Sequence, residues 1–246
     1  MRLPAISLFL LLFLCSFSPD NQLSSLKIVI SEDPIHLYVF APNGLNMREG
    51  PEVSHNKLTK IPYGAKVELI SPPGKKELVV DGLKGGMAKV SYGGFTGYAF
   101  DGYMSKYQAP SLNMEIRKYV DELRKDGHVV YYEKTERDYD GYFQYEESIL
   151  LFDYSWQEGF LVAKQLCRIP QKLYFPPASD KDEEKFENPE KAEYAWSDEL
   201  SVKREKGKIT EISYYYRGEG GGHSVTIKED NEGHNALRIT DLGIAD

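Results

Sequence analysis

The sequence predicts a mainly β fold: a small barrel or sandwich of short strands between Pro34 and Tyr107, then an α+β domain with one N-terminal helix and an antiparallel sheet. Three observations carry this. Eighteen Tyr and eleven Phe stand beside two Trp and five Met, and aromatic side chains suit the pleated surface of a sheet. Clusters of turn residues recur at short, regular spacing from Pro34 to Tyr107, with no helical period between them. Helical spacing is read in one segment, Leu112 to Lys125.

In the first part the strands are expected at Leu37 to Phe40, Lys57 to Ile61, Lys66 to Ser71, Glu77 to Val80, Ala88 to Tyr92 and Gly97 to Phe100. Breakers separate them: Pro42-Asn43-Gly44, Glu49-Gly50-Pro51, Pro62-Tyr63-Gly64, Pro72-Pro73-Gly74, Gly85-Gly86 and Gly93-Gly94. In Lys66 to Ile70 the alternation puts Val67 and Leu69 on one face and the charges on the other, so one side of that strand faces a core. Gly64 and Gly93-Gly94 stand where a tight turn needs positive φ.

Residues 108–111 read as a linker. Ser111 is the expected N-cap of the helix, Leu112, Ile116, Tyr119, Val120 and Leu123 form its apolar stripe, and Gly127 ends it. Gly141 to Tyr154, Gly159 to Gln165, Leu200 to Arg217 and Ser224 to Thr240 read as strands, with hairpin turns at Glu205-Lys206-Gly207-Lys208 and Asp230-Asn231-Glu232-Gly233. The acidic run within Ser179 to Lys191 reads as a solvated loop.

Composition sets the class. With 41% hydrophobic and 28% charged residues, the chain buries a real core and is not disordered. The formal charge of −8 is uneven. Asp33 to Tyr107 holds nine Lys and Arg against seven Asp and Glu, whereas Leu112 to Asp246 holds 19 against 29. Neither part shows the basic stripe of a nucleic-acid binder. Residues 1–18 form a leader: Met1 and Arg2 give a positive start, Leu3 to Phe17 is almost wholly apolar, and Pro19, Asp20 and Asn21 turn polar. The apolar run is short for a membrane span, and its flanks are those of an export signal peptide. Cys15 and Cys167 are the two cysteines, so no disulfide framework is expected in the processed chain.

Gly44-Leu45-Asn46-Met47-Arg48-Glu49-Gly50-Pro51, Lys57 to Glu68, and Gly86 to Tyr92 followed by Gly97-Tyr98-Ala99 and Tyr103-Met104-Ser105 resemble, in order, the three sequence blocks of bacterial SH3 (SH3b) domains. The resemblance covers residues 34–107 and implies an SH3-like β-barrel with an aromatic groove for a peptide, a peptidoglycan stem peptide or an envelope protein. Arg48, Tyr63, Tyr92, Tyr98 and Tyr103 are the residues expected to line it. Met87 stands where the family often has Trp, and residues 77–85 lengthen the loop before it. Leu12-Phe13-Leu14-Cys15 resembles a lipobox, which implies acylation of Cys15; Ser16 and Ser18 suit ordinary signal cleavage instead. A periplasmic protein or outer-membrane lipoprotein is the expectation, with secretion as the alternative and the membrane met only through the leader or a lipid anchor.

Residues 112–246 resemble no family and carry the search for chemistry. Cys167, His223 and His234 occur in an order that suits a thiol nucleophile and its base, but Lys164 to Pro170 lacks the sequence context of cell-wall cysteine peptidases, and Cys167 ends an apolar run. A buried structural thiol is expected. Gly218-Glu219-Gly220-Gly221-Gly222 lacks the Lys-Ser/Thr ending of a phosphate loop and carries an acid inside it, so a flexible connection between strands is expected. His36, His55, His128, His223 and His234 show no metal-ligand spacing. Asp138, Asp140, Glu146 and Glu147 are the carboxylates a hydrolase would draw on, without a flanking signature. The expectation is non-catalytic binding with no cofactor, the alternative being a cell-wall hydrolase whose centre lies in residues 112–246.

Overall fold

The computed structural model describes residues 34–139, 142–230 and 236–245. The leader with Cys15, the carboxylate Asp140 and the turn carrying His234 lie outside them. The described chain is mainly β, with antiparallel sheets and two helices. Among the described residues no helix is long and apolar enough to cross a membrane.

The first part holds β1 (His36–Val39), β2 (Leu45–Arg48), β3 (Lys57–Ile61), β4 (Lys66–Ser71), β5 (Leu78–Val80), β6 (Leu83–Gly85), β7 (Met87–Tyr92), β8 (Phe95–Phe100) and, after a single 3-10 turn at Asp101–Tyr103, β9 (Met104–Ser105). Seven of these form one sheet in the order β3-β2-β8-β7-β4-β1-β9, while β5 and β6 pair as a separate hairpin. β1 and β2 are consecutive in the chain yet lie on opposite sides of the β4-β7-β8 meander. The sheet keeps open edges at β3 and β9 and is not closed into a barrel. Val39, Met47, Ile61, Val67, Ala88, Val90 and Ala99 are all buried, so the inward face is apolar as the alternation around Val67 requires. Gly93 and Gly94 both take positive φ between the paired Tyr92 and Phe95, the backbone that a two-residue hairpin needs.

The second part holds α1 (Ile116–Lys125), β10 (Val130–Tyr139), β11 (Tyr142–Phe152), α2 (Trp156–Leu166), β12 (Glu183–Glu187), β13 (Ala195–Glu205), β14 (Lys208–Gly218), β15 (Gly221–Glu229) and β16 (Ala236–Ala245). Its sheet runs β10-β11-β16-β15-β14-β13-β12. A lateral row, Ile149-Ile239-Ile227-Ile212-Val202, crosses five of its strands through their registers, and every member is buried. α1 packs on β10 and β11, and α2 packs on β15 and β16, over this face. Gly159 sets the approach of α2, because a Cβ there would lie 2.7 Å from Leu237 Cδ1.

Four expectations need correction. α1 begins at Ile116 rather than Leu112, since Asn113 has a left-handed backbone and Leu112 is 76% exposed; its N-cap is Glu115, not Ser111. There are two helices and not one: Gly159 to Gln165 lies inside α2. A short apolar run does not distinguish a strand from a buried helix, and the deciding signal is the capping box, in which Ser155 accepts from the Glu158 amide and Glu158 accepts from the Ser155 amide. The acidic run is not wholly a loop, for β12 lies within it as an edge strand, Glu183 and Glu187 on the wet side, Phe186 packed against the core and Glu184 on the same face as Phe186, paired with the buried Arg204. Gly218 to Gly222 is a tight hairpin, with Gly218 paired to Gly221, rather than a loose connection.

The two parts share one contiguous apolar core, and residues from Pro34 onward form one compact unit. Tyr107 stacks on Tyr154 with centroids 3.7 Å apart, and its hydroxyl donates to Phe152 O at 2.8 Å. Ser105 donates to Glu158 at 2.6 Å. The Gln157 amide both accepts from Lys84 N (2.6 Å) and donates to Lys84 O (3.0 Å). Ala109 and Pro110, in the stretch expected to be a linker, are buried.

Candidate functional site

Two of the five expected groove residues meet in a cleft of about 340 Å³ between the first sheet and α2. Tyr63, Tyr103 and Phe40 line it from the first part, Phe160 and Lys164 from α2, and Tyr174 from the segment after α2. Both tyrosine hydroxyls are committed: Tyr63 donates to Pro110 O at 2.7 Å and Tyr103 donates to Asp81 Oδ2 at 2.6 Å. Burial pushes both phenols above their ordinary range, so they stay protonated and offer ring surface rather than charge. Arg48, Tyr92 and Tyr98 are not in this cleft. Arg48 pairs across the sheet with Tyr98 and donates to His55 O at 2.8 Å, while Tyr92 ends β7 at the Gly93-Gly94 turn.

Lys164 gives the cleft its chemistry. Its ammonium donates to Gln171 O (3.0 Å) and Leu173 O (2.7 Å) and lies 5.5 Å from the centre of the Tyr174 ring and 5.6 Å from that of Phe160. Burial pushes its pKa down to about 8, and the charge of Asp81 works in the opposite direction. Asp81 itself sits at the tip of the β5–β6 hairpin with φ of 52°, followed by Gly82 at 79°. That hairpin tip meets the segment after α2, where Phe175 N donates to Asp81 O at 3.1 Å. The arrangement is an aromatic slot with a partly desolvated cation at its base, suited to holding an extended chain that carries a carboxylate.

A second, larger cleft of about 830 Å³ lies at the end of the inner face of the β10–β16 sheet. Two steps beyond the aliphatic row the cross-strand residues are Tyr145, Gly243 and His223, with Glu147 and Asp241 between. His223 Nε2 lies 2.5 Å from Asp241 Oδ1, and Tyr145 donates to Asp241 Oδ2 at 3.5 Å. The Tyr145 ring lies over Gly243, where an added Cβ would come within 2.1 Å of it. Glu147 is paired with Lys134 at 2.9 Å. Cys167 borders the same cleft but is 2% exposed, and burial, then the charges of Asp241 and Glu147, push its thiol well above the ordinary value. Such a thiol is held protonated, the opposite of what a nucleophile needs.

Apart from Glu147, which lines the larger cleft, the remaining described candidates stand outside both clefts. Glu146 and Glu147 are adjacent on β11 and so point to opposite faces, and Asp138 lies on β10 opposite Phe143. His36 and His55 are exposed, and His128 packs edge-on against Tyr107. Among the described residues no three His, Cys, Asp or Glu side chains converge as a metal site. The sequence reading missed Lys164, Tyr174, Asp81 and Asp241, which have no local signature and reach their places only through sheet register and helix packing. No family model, curated protein or solved structure matches this chain.

Proposed function

We propose that the chain is an exported bacterial envelope protein that binds a peptide or peptidoglycan stem peptide without catalysis, and that residues 34–107 form an SH3b module, its sheet an SH3-like barrel left open between β3 and β9. The placement of the consecutive β1 and β2 on opposite sides of β4, β7 and β8 supports the barrel-like reading. The observation that carries the binding reading is the slot of Tyr63, Tyr103 and Tyr174 with Lys164 at its base. Its aromatic walls take an extended chain and its ammonium takes a carboxylate, a pairing that stem peptides and ordinary peptide termini both satisfy. Arg48, Tyr92 and Tyr98 would then serve the sheet rather than the ligand.

The test is a peptidoglycan pull-down run beside a muropeptide-release assay. Retention without released fragments, weakened at least tenfold by the exposed-site variant Tyr174→Ala, is the expected result. Retention unchanged in that variant overturns the assignment to this slot. A hydrolase is the second reading, favoured by the convergence of Cys167, His223 and Asp241 on one cleft. Release of fragments that Cys167→Ala abolishes would establish it and displace the first.

A further inference from the structure

Three cations, Arg117, Lys134 and Arg168, and three acids, Glu115, Glu147 and Asp241, line the larger cleft, but they are unequally committed to partners. Of the charged side chains around it, Lys134 is taken up by Glu136 and Glu147, and Asp241 by His223 and Tyr145. That leaves Arg117, on the first turn of α1, and Arg168, just past the end of α2, with Glu115 as the one uncommitted acid in the lining. Among the described residues neither arginine makes an ion pair or a side-chain hydrogen bond. Arg168 is also held in a left-handed backbone, φ 58°, a conformation that costs a non-glycine residue energy, and its charge acts on Tyr145 inside the cleft. A guanidinium presents a planar fork of donors that fits carboxylate and phosphate oxygens two at a time. Beside these forks lie the rings of Tyr132 and Phe143, the latter 45% exposed. The volume is that of a small-molecule site.

We propose that this cleft is a second binding site, separate from the Lys164 slot, for an organic anion whose carboxylate or phosphate is clasped by Arg117 and Arg168 and whose apolar body lies on Phe143 and Tyr132. His223, fixed by Asp241 and packed edge-on against Tyr214 at 5.8 Å, stands as a positioned polar group on the wall of the cleft.

The proposal is tested by titrating the full chain with benzoate, phenyl phosphate and the neutral isostere benzamide, reading backbone amide shifts by NMR. At least one anion is expected to bind saturably and to shift Arg168, Gly222 and Gly243, with benzamide at least tenfold weaker. Benzoate alone identifies carboxylates as the source and phenyl phosphate alone identifies phosphates; either supports the site. Both arginines are exposed, so Arg117→Gln/Arg168→Gln is expected to keep the wild-type spectrum outside the cleft while weakening the anion at least tenfold. No anion binding, equal binding of benzamide, unchanged affinity in the double variant, or shifts confined to Lys164 and Tyr174 would overturn it. Loss of peptidoglycan retention in Tyr174→Ala leaves these shifts in place, so the two sites fail independently.

Discussion

Lys164 offers a measurable link between the slot and the stability of the fold. Its folded pKa of about 8 against an ordinary 10.5 is a gap of about 2.5, and at 1.36 kcal/mol each the buried charge costs the folded state about 3 kcal/mol at neutral pH. The folded value is the lower one, so below pH 8 both states are charged and the cost is borne in full. Between pH 8 and 10.5 the folded chain releases its proton while the unfolded chain keeps it, and stability rises. By pH 9.5 the rise reaches about 2 kcal/mol. Nearer pH 10 the buried tyrosines Tyr63, Tyr103, Tyr119 and Tyr214 act the other way, since burial holds their folded pKa values above the unfolded ones. Subtracting Lys164→Met removes that background. Urea unfolding of both proteins at pH 7.0, 8.0, 9.0 and 9.5 is expected to show wild type gaining about 2 kcal/mol on the variant across the series. The carbonyls of Gln171 and Leu173 lose a donor in Lys164→Met, which adds an offset independent of pH. A difference that stays constant within about 0.5 kcal/mol from pH 7.0 to 9.5 would refute the burial argument.

Three further outcomes follow from other parts of the fold. Ser155→Ala removes one half of the α2 capping box and is expected to cost about 1 kcal/mol in thermal or urea unfolding, whereas Ser155→Asp should keep most of it. Gly82→Ala should cost more, about 2 kcal/mol or above, because φ is 79° and the new Cβ would lie 1.8 Å from Phe175 O; a wild-type melting temperature would contradict this placement of the hairpin tip. Iodoacetamide should label Cys167 at pH 7 only as fast as the chain unfolds, with full labelling in urea, and rapid labelling of the native protein would show an accessible thiolate instead.

The strand hairpins were legible where the turn chemistry is local. Gly93-Gly94 and Lys206-Gly207 carry positive φ between paired strands at the places where glycine in the sequence marks a turn. α2 was missed because an apolar run buried on nearly every side has no clear period, and only Ser155 and Glu158 betray it. The sites were less legible than the elements. Tyr63 and Tyr103 share a slot, but Arg48 and Tyr98 face each other elsewhere on the sheet, since membership of one motif says nothing about which face a strand residue takes. His223 and Asp241 sit diagonally across β15 and β16, a contact decided by register alone. Lys164 lies on a helix read as a strand, and its low pKa depends on walls contributed by residues 81 and 171–175.

The stretch from Tyr107 to Pro110 is a weld. Tyr107 and Ala109 sit in the common interior, and the Tyr63 hydroxyl closes on Pro110 from the other side. Severing the polypeptide there would strip apolar flanks bare on both fragments, so fragments ending at 107 or beginning at 112 should aggregate when made singly and recover solubility when made together.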